Sequence, residues 1–246
     1  MDLFPEGDNE KLKLSFIDCH HSECDFYNKL APILDIPVPT AHKTVEWILN
    51  KQEGCVHMED LTLRGKCLLF YENINLTQVK CMIQYLAHMH KNVLCADPKT
   101  WKGEYLKRSK GLFDALDMFN ASVDGFLDKC KHKVLCCDGV VRRQAEAFAV
   151  EFYYECLVKE FNGDVSLVPY TVEQLKKAYK YAYLTRALYI IGVMEYFVPG
   201  IETHISDEKI KAAFYESGAL RSFHALQDAD NLLQGELNDL FIKFGL

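Results

Sequence analysis

The sequence lacks a long apolar segment. A membrane-spanning helix needs roughly 20 apolar residues, and the closest candidate, residues 187–194, is interrupted by Tyr189 and Gly192. The first eight residues are acidic and contain no apolar stretch of the kind that directs secretion. We therefore expect no membrane contact and predict a cytoplasmic protein.

The sequence also lacks an excess of basic residues. Its 28 Lys and Arg face 35 Asp and Glu, so the formal net charge is −7. Nucleic-acid binding depends on clustered Lys and Arg that displace the counterions of phosphates. The basic runs here, such as Arg142-Arg143, are short, so we expect them on solvated helix faces and predict no nucleic-acid partner.

Cysteine and histidine are present, but not in the spacing of a metal or disulfide framework. The chain has ten cysteines, and without an export signal we expect reduced, mostly buried thiols. The densest group of ligand-type side chains, residues 18–25, holds Cys19 and Cys24 without a Cys-x-x-Cys pair. His88 and His90 would point about 200° apart on a helix and cannot share a ligand. We therefore predict no metal site.

Several enzyme signatures are missing as well. The sequence has no Gly-x-Ser-x-Gly elbow, Gly-x-Gly-x-x-Gly turn, phosphate-binding P-loop or His-Glu-x-x-His helix. A serine hydrolase, a dinucleotide-dependent enzyme and a zinc metalloprotease therefore find no support in the motifs.

What the first part of the chain does contain is a short helix and a hairpin pattern. Apolar residues recur at helical spacing over residues 23–34, and Pro37 and Pro39 end that helix. Residues 45–49 and 55–61 flank a loop that contains a glycine, which predicts a β-hairpin.

The remainder of the chain has helical periodicity. A helix begins with Asn75 or Thr77 as its cap, and one face of it carries Val79, Met82, Ile83, Leu86, Ala87 and His90. Further helices are predicted over residues 112–130, 140–161, 172–197, 207–217 and 220–244. Thr171 and Gln174 fit a capping box. The aromatic residues 148–189 fall at helical spacings, which favours core packing over a ligand site.

These patterns predict a mainly α protein of the α+β class. Residues 1–60 form a small N-terminal segment of helix and hairpin, and residues 61–246 form a helical body.

Several segments resemble a known family. Cys-His-His-Ser-Glu-Cys-Asp-Phe-Tyr at residues 19–27 resembles a Cys-His-Asn-x-Glu-x-x-Phe-Tyr signature, and residues 58–61 and 76–90 resemble the hinge and the helix that follow it. Residues 135–146 are close to a later Cys-Cys-Asp-x-x-x-Arg-Arg-x-Ala-Glu segment. Each motif is weak alone, but together they resemble the choline-kinase-like (CHK) proteins abundant in nematodes, relatives of ecdysteroid kinases and aminoglycoside phosphotransferases.

The resemblance implies the remnant of a protein-kinase-like fold with part of a nucleotide site. Residues 1–60 would be a partial N-lobe and residues 61–246 the helical C-lobe. Glu23 would occupy the place of the helix glutamate that pairs with the ATP-binding lysine, and Met58, Glu59 and Asp60 would form the adenine-contacting hinge. Structural alternatives remain: Glu23 as a first-turn acid favoured by the helix dipole, and Met58 as a buried strand residue.

The catalytic parts that the family would supply are missing. Phosphoryl transfer needs a loop over the phosphates, a lysine that engages them, a catalytic aspartate and an aspartate that holds Mg²⁺. None of the nine histidines precedes a glycine, so the family's His-Gly-Asp loop is absent, and an internal deletion is expected near residues 134–136. Only 22 residues precede Glu23, too few for three strands with a glycine-rich loop. We therefore predict no catalytic residue and no cofactor.

The leading hypothesis is a truncated, catalytically inactive CHK-like protein with a binding or regulatory role. Its exposed apolar surface would be covered by a protein partner or by self-association. One alternative is an ATP- and Mg-dependent small-molecule hydroxyl phosphotransferase, as in the parent family, with Asp124, Asp128 or Asp138 rebuilding the site. Another is an unstable splice or gene-model product.

Overall fold

The structure is a computed structural model that describes residues 9–66, 68, 72, 74–103, 139–192, 194 and 206–244. The predicted deletion near residues 134–136 lies outside the described residues, as do Asp124, Asp128, Asp138 and the predicted helix over residues 112–130. The helices and strands of the described part are numbered below in chain order.

The N-terminal helical segment is longer than predicted. Helix α1 spans Asn9–Asp25, a π-helical turn spans Phe26–Leu30, and α2 spans Ala31–Leu34. Asp35 ends the segment in a left-handed conformation (φ 51°), which turns the chain away from the helix axis. The end of the predicted helix is confirmed, whereas its start at residue 23 is wrong, because the weakly amphipathic residues before it also fold as helix.

The predicted hairpin is confirmed, with its first strand shifted. Strands β1 (Ala41–Val45) and β2 (Cys55–Met58) pair antiparallel, with Val45 opposite Cys55. His20 and His21 of α1 bond through their Nε2 atoms to the carbonyl oxygens of Val45 (2.8 Å) and Trp47 (2.9 Å). Helix α1 is thereby fixed against the hairpin.

Helix α3 (Leu76–Cys95) begins with a complete capping box. The backbone N–H of Asn75 donates to Gln78 Oε1, and the backbone N–H of Gln78 donates to Asn75 Oδ1, each at 2.9 Å. Asn75, of the two predicted caps, is therefore the cap. The predicted apolar face is wrong in part, because Met82 and Leu86 are 62% and 41% exposed while Ala87 is fully buried.

The helical body continues with α4 (Gly139–Glu146), α5 (Ala149–Glu160), α6 (Val172–Gly192), α7 (Glu208–Gln234) and α8 (Asn238–Phe244). One-turn 3₁₀ helices lie at Pro98–Thr100 and Val165–Leu167. The predicted helix over residues 140–161 is in fact two helices. The two helices predicted over residues 207–217 and 220–244 divide elsewhere, because Gly218 is buried inside α7 and the break falls at Gly235.

The capping box at the start of α6 is confirmed. The backbone N–H of Thr171 donates to Gln174 Oε1 (2.9 Å), and the backbone N–H of Gln174 donates to Thr171 Oγ1 (3.2 Å). Both ends of this box lie within four residues, so local sequence suffices to specify it.

Among the described residues, apolar clusters join the helices of the body in pairs. Ala87, Cys156, Leu157 and Val168 pack between α3 and α5, and Ala187, Ala225 and Ala229 pack between α6 and α7. The class predicted from sequence, mainly α with a small antiparallel sheet, is confirmed. Among the described helices, none combines the length and apolar character needed to cross a bilayer.

Candidate functional site

The predicted nucleotide-site residues all lie in the helix-and-hairpin unit. Glu23 is exposed in the last turn of α1, so the alternative that it is a first-turn acid is wrong. Met58 ends β2 and is 39% exposed, so the alternative of a buried strand residue is also wrong. Neither position is explained by core packing, and the nucleotide-site role remains a prediction.

Glu59 and Asp60 are engaged in local hydrogen bonds. The Thr40 amide donates to Glu59 Oε1 (3.1 Å), and Arg64 forms an ion pair with the other oxygen of that carboxylate. Asp60 accepts from the hydroxyl of Thr62 and from its amide (2.8 Å), and these bonds lower the pKa of Asp60. The two carboxylates therefore stabilise the turn that follows β2.

A groove of about 560 Å³ opens between α4, α5, α6 and α7. This volume lies within the range that small-molecule sites occupy. Its walls carry charged and tyrosine side chains from all four helices, including Arg143, Glu146, Glu151, Lys176, Tyr179 and Asp228.

Asp228 is the centre of the ion-pair network in this groove. Arg143 Nε and Nη2 donate to its two oxygens at 3.1 and 3.0 Å, and Arg142 Nη2 donates to it as well. Burial by itself would raise the pKa of Asp228, but the bonds from Arg143 and Arg142 outweigh it and lower the pKa. The prediction of a solvated helix face is confirmed for Arg143, whose side chain is 45% exposed, and is wrong for Arg142, which is half-buried. Both arginines tie α4 to α7.

The network continues through Glu146 to two tyrosines of α6. Arg142 Nη1 donates to Glu146 Oε1 (2.7 Å), and the hydroxyl of Tyr179 donates to the same oxygen (2.9 Å). The Arg142 guanidinium lies 5.2 Å from the centre of the Tyr183 ring, a favourable cation–π geometry.

The two tyrosines remain protonated at neutral pH. Burial and the nearby Glu146 carboxylate raise the pKa of Tyr179. Burial raises the pKa of Tyr183 to about 12. Both hydroxyls can donate hydrogen bonds, but neither has the ionisation of a general base near pH 7.

The lysines at the rim of the groove are paired with carboxylates. Lys176 Nζ lies 2.6 Å from Glu151 Oε1, and Lys180 pairs with Glu236. Cations and anions thus alternate around the groove and compensate each other. These ion pairs join the helices to one another. A ligand in the groove would meet polar groups that already have partners.

Sequence reasoning found the Arg142, Arg143 and Glu146 motif but missed Asp228, which is 85 residues from Arg143. A signal for it was present, because Asp228 lies beside Ala225 and Ala229 at the spacing of the buried face of α7. An acid at such a position indicates a paired charge.

In the dense ligand-type segment at residues 18–25, Cys24 Sγ lies 3.5 Å from His20 Nε2, but the other ligand-type side chains do not join this pair. His20 and His21 contact hairpin carbonyls, Cys19 is exposed and Cys24 is buried. In the described part of the chain, no group of three or more His, Cys, Asp or Glu is placed to hold a metal ion.

Residues 127–229 match the family model DUF1679, described as "Uncharacterized oxidoreductase dhs-27", a nematode family that is kinase-like. The matched segment contains α4, α5, α6 and most of α7, and with them the Arg142, Arg143, Glu146 and Asp228 network. No curated protein and no solved structure matches the chain.

Proposed function

We propose that this protein is a cytoplasmic CHK kinase-like protein that lacks phosphotransfer activity and acts by binding. The family match over residues 127–229 supports the kinase-like assignment, and it agrees with the sequence resemblance at the Arg-Arg-x-Ala-Glu segment. The charges of that segment are used to join helices α4, α6 and α7, which is the role of a scaffold.

The proposed inactivity is based on the absence of a His-Gly-Asp loop from the sequence. In the order of the CHK family, the His-Gly-Asp loop lies between the hinge and the Arg-Arg motif. Between residues 60 and 142 the histidines are followed by Met or Lys and never by Gly. Because the catalytic groups of phosphoryl transfer act as a unit, loss of this loop abolishes turnover.

A binding role also agrees with the surface of α3. Met82, Tyr85 and Leu86 are 62%, 47% and 41% exposed on this helix, and contiguous apolar surface of this kind marks protein contacts. The partner is either another protein or a second copy of the chain.

The sequence does not support the oxidoreductase activity named in the family's description. Dinucleotide-dependent oxidoreductases hold the cofactor pyrophosphate at a Gly-x-Gly-x-x-Gly turn. The sequence has no two glycines separated by one residue.

A thermal-shift titration of the full chain with millimolar Mg·ATP tests the proposal. A ligand that binds only the folded state stabilises it by about 2.7 kcal/mol at a concentration of 100 Kd. We expect no change in Tm with Mg·ATP, and no transfer of labelled phosphate to choline-like or steroid alcohols.

The matched variants are Glu23→Gln at the predicted site and Glu208→Gln as a control, since the Glu208 side chain is 83% exposed at the start of α7. A rise in Tm with Mg·ATP that disappears in Glu23→Gln and persists in Glu208→Gln would establish the phosphotransferase alternative. Absence of any cooperative unfolding transition would instead favour the unstable splice product.

A further inference from the structure

His88 of α3 lies between two carboxylates that belong to different parts of the fold. Its Nδ1 is 2.8 Å from Glu160 Oε2 at the end of α5, and its Nε2 is 3.1 Å from Asp35 Oδ2 at the end of α2. Ionised carboxylates only accept hydrogen bonds. Both contacts can form together only when both ring nitrogens carry a proton, which is the imidazolium form.

A third group competes for the same ring nitrogen. Asn92, one turn further along α3, donates from Nδ2 to the Leu34 carbonyl (2.9 Å), and the same Nδ2 lies 3.1 Å from His88 Nε2. An amide N–H cannot donate to a protonated nitrogen. The Asn92 contact with His88 is therefore available only when Nε2 has lost its proton.

We propose that His88 is a pH-sensitive latch between the end of the N-terminal helical segment and the helical body. In the closed state, imidazolium Nε2–H donates to Asp35. When that proton leaves to solvent, the Nε2 lone pair accepts from Asn92 and repels the Asp35 carboxylate, so the end of α2 loses one tether.

The geometry also indicates which proton is lost. Glu160 is nearer to the ring than Asp35 and its side chain is 32% exposed, whereas the Asp35 side chain is 84% exposed. Water therefore screens the Asp35 contact more strongly, and Nδ1–H stays bonded to Glu160. The neutral form is the Nδ1–H tautomer.

The pH window follows from the surrounding charges. The titratable groups that face the ring are Glu160 from α5 and Asp35 from the end of α2, and their hydrogen bonds raise the pKa of His88 above its ordinary value of 6.5. The other histidine of this stretch, His90, contacts Tyr153 instead (2.6 Å). The latch is closed at pH values below the raised pKa of His88 and opens as the pH rises through that pKa.

Nitrogen NMR of the intact protein tests the latch without any substitution. We expect both ring nitrogens of His88 to be protonated below the transition and only Nδ1 above it, with a midpoint above 6.5. A neutral Nε2–H tautomer, or titration at or below the ordinary value, would overturn the proposal.

Amide hydrogen exchange of residues 31–38 measures the mechanical consequence. After correction for intrinsic base catalysis, opening should increase about fivefold through the transition, the effect of losing one exposed ion pair. Asp35→Asn tolerates the left-handed backbone. Its side-chain amide can accept from protonated Nε2 and donate to neutral Nε2, so the tether should persist at every pH and the variant should remove this pH dependence. Glu160→Gln should instead lower the pKa of His88. Unchanged pH dependence in Asp35→Asn would refute the latch.

Discussion

Asp228 joins two helices through a single carboxylate. It accepts hydrogen bonds from Arg142 and Arg143 of α4, and its own side chain on α7 is 20% exposed. At this depth, water screens the charges less than it does at the surface, where ion pairs contribute little. Removing the carboxylate charge would take away the anion that Arg142 and Arg143 share.

We therefore predict that Asp228→Asn lowers the free energy of unfolding by about 2 kcal/mol, the cost of removing the charged acceptor that Arg142 and Arg143 share at a partly buried position. The control on the same helix is Asp230→Asn, where the aspartate is exposed and bonds to Gln234, and the change should stay within about 0.5 kcal/mol. Denaturant unfolding at pH 7 measures both.

The pH dependence of the same variant provides a second test. The pKa of Asp228 is lowered from 3.8, so its contribution is present above pH 3.8 and is lost as the pH falls through the lowered pKa. The gap between the wild type and Asp228→Asn should close in strong acid. A gap that persists there would show that packing, not charge, accounts for the loss.

At the level of elements, α3 has one face in the core and one in solvent. Ala87 packs against the fully buried Leu157 of α5, while Leu86, its neighbour in sequence, is 41% exposed. Both are apolar, so hydrophobic periodicity placed them on one face. The contact with α5 decides which of them is buried.

Leu157→Ala should destabilise the protein by about 3 kcal/mol, because it removes buried methyl groups and leaves a cavity. The matched change on the exposed face, Leu86→Ala, should cost less than about 1 kcal/mol. Thermal or denaturant unfolding compares the two, and equal losses would mean that a partner or a second copy covers Leu86 under the conditions used.

At the level of the whole molecule, the cysteines differ in exposure, so their reactivity can show which regions become accessible only on unfolding. Among the described cysteines there is no disulfide, which agrees with the expected reduced state. The expectation of mostly buried thiols is wrong for these residues, since Cys24 and Cys156 are buried while Cys19, Cys81 and Cys95 are exposed. The buried pair lies in two different parts of the fold, the α1 and hairpin unit and the α3 and α5 core.

We predict that Cys81 and Cys95 react with a disulfide reagent at least roughly tenfold faster than Cys24 and Cys156 in the native protein. Burial raises the pKa of both buried thiols, which reduces the reactive thiolate as well as access. Peptide mapping by mass spectrometry after timed labelling measures each site. Fast labelling of Cys24 alone would show that the helix and hairpin unit opens independently of the body.

The elements that short stretches of sequence predicted are those whose partners are close in the chain. The predicted capping box at Thr171 joins groups three residues apart, as does the cap at Asn75, which the sequence left open against Thr77. The predicted helix end before Pro37 and Pro39 depends on those two residues alone. Periodicity also indicated a helical body, although it could not locate the division between α7 and α8, because a buried glycine inside a helix resembles a helix end.

The sequence by itself determined the mainly α class, the hairpin, the capping box of α6 and the absence of a His-Gly pair, because each depends on residue types and short spacings. The tertiary structure decided which faces are buried, that Arg142 and Arg143 meet Asp228, and that His88 lies between Asp35 and Glu160. Those contacts join residues 53 to 86 positions apart, and only the packing of the helices brings such residues within hydrogen-bond distance.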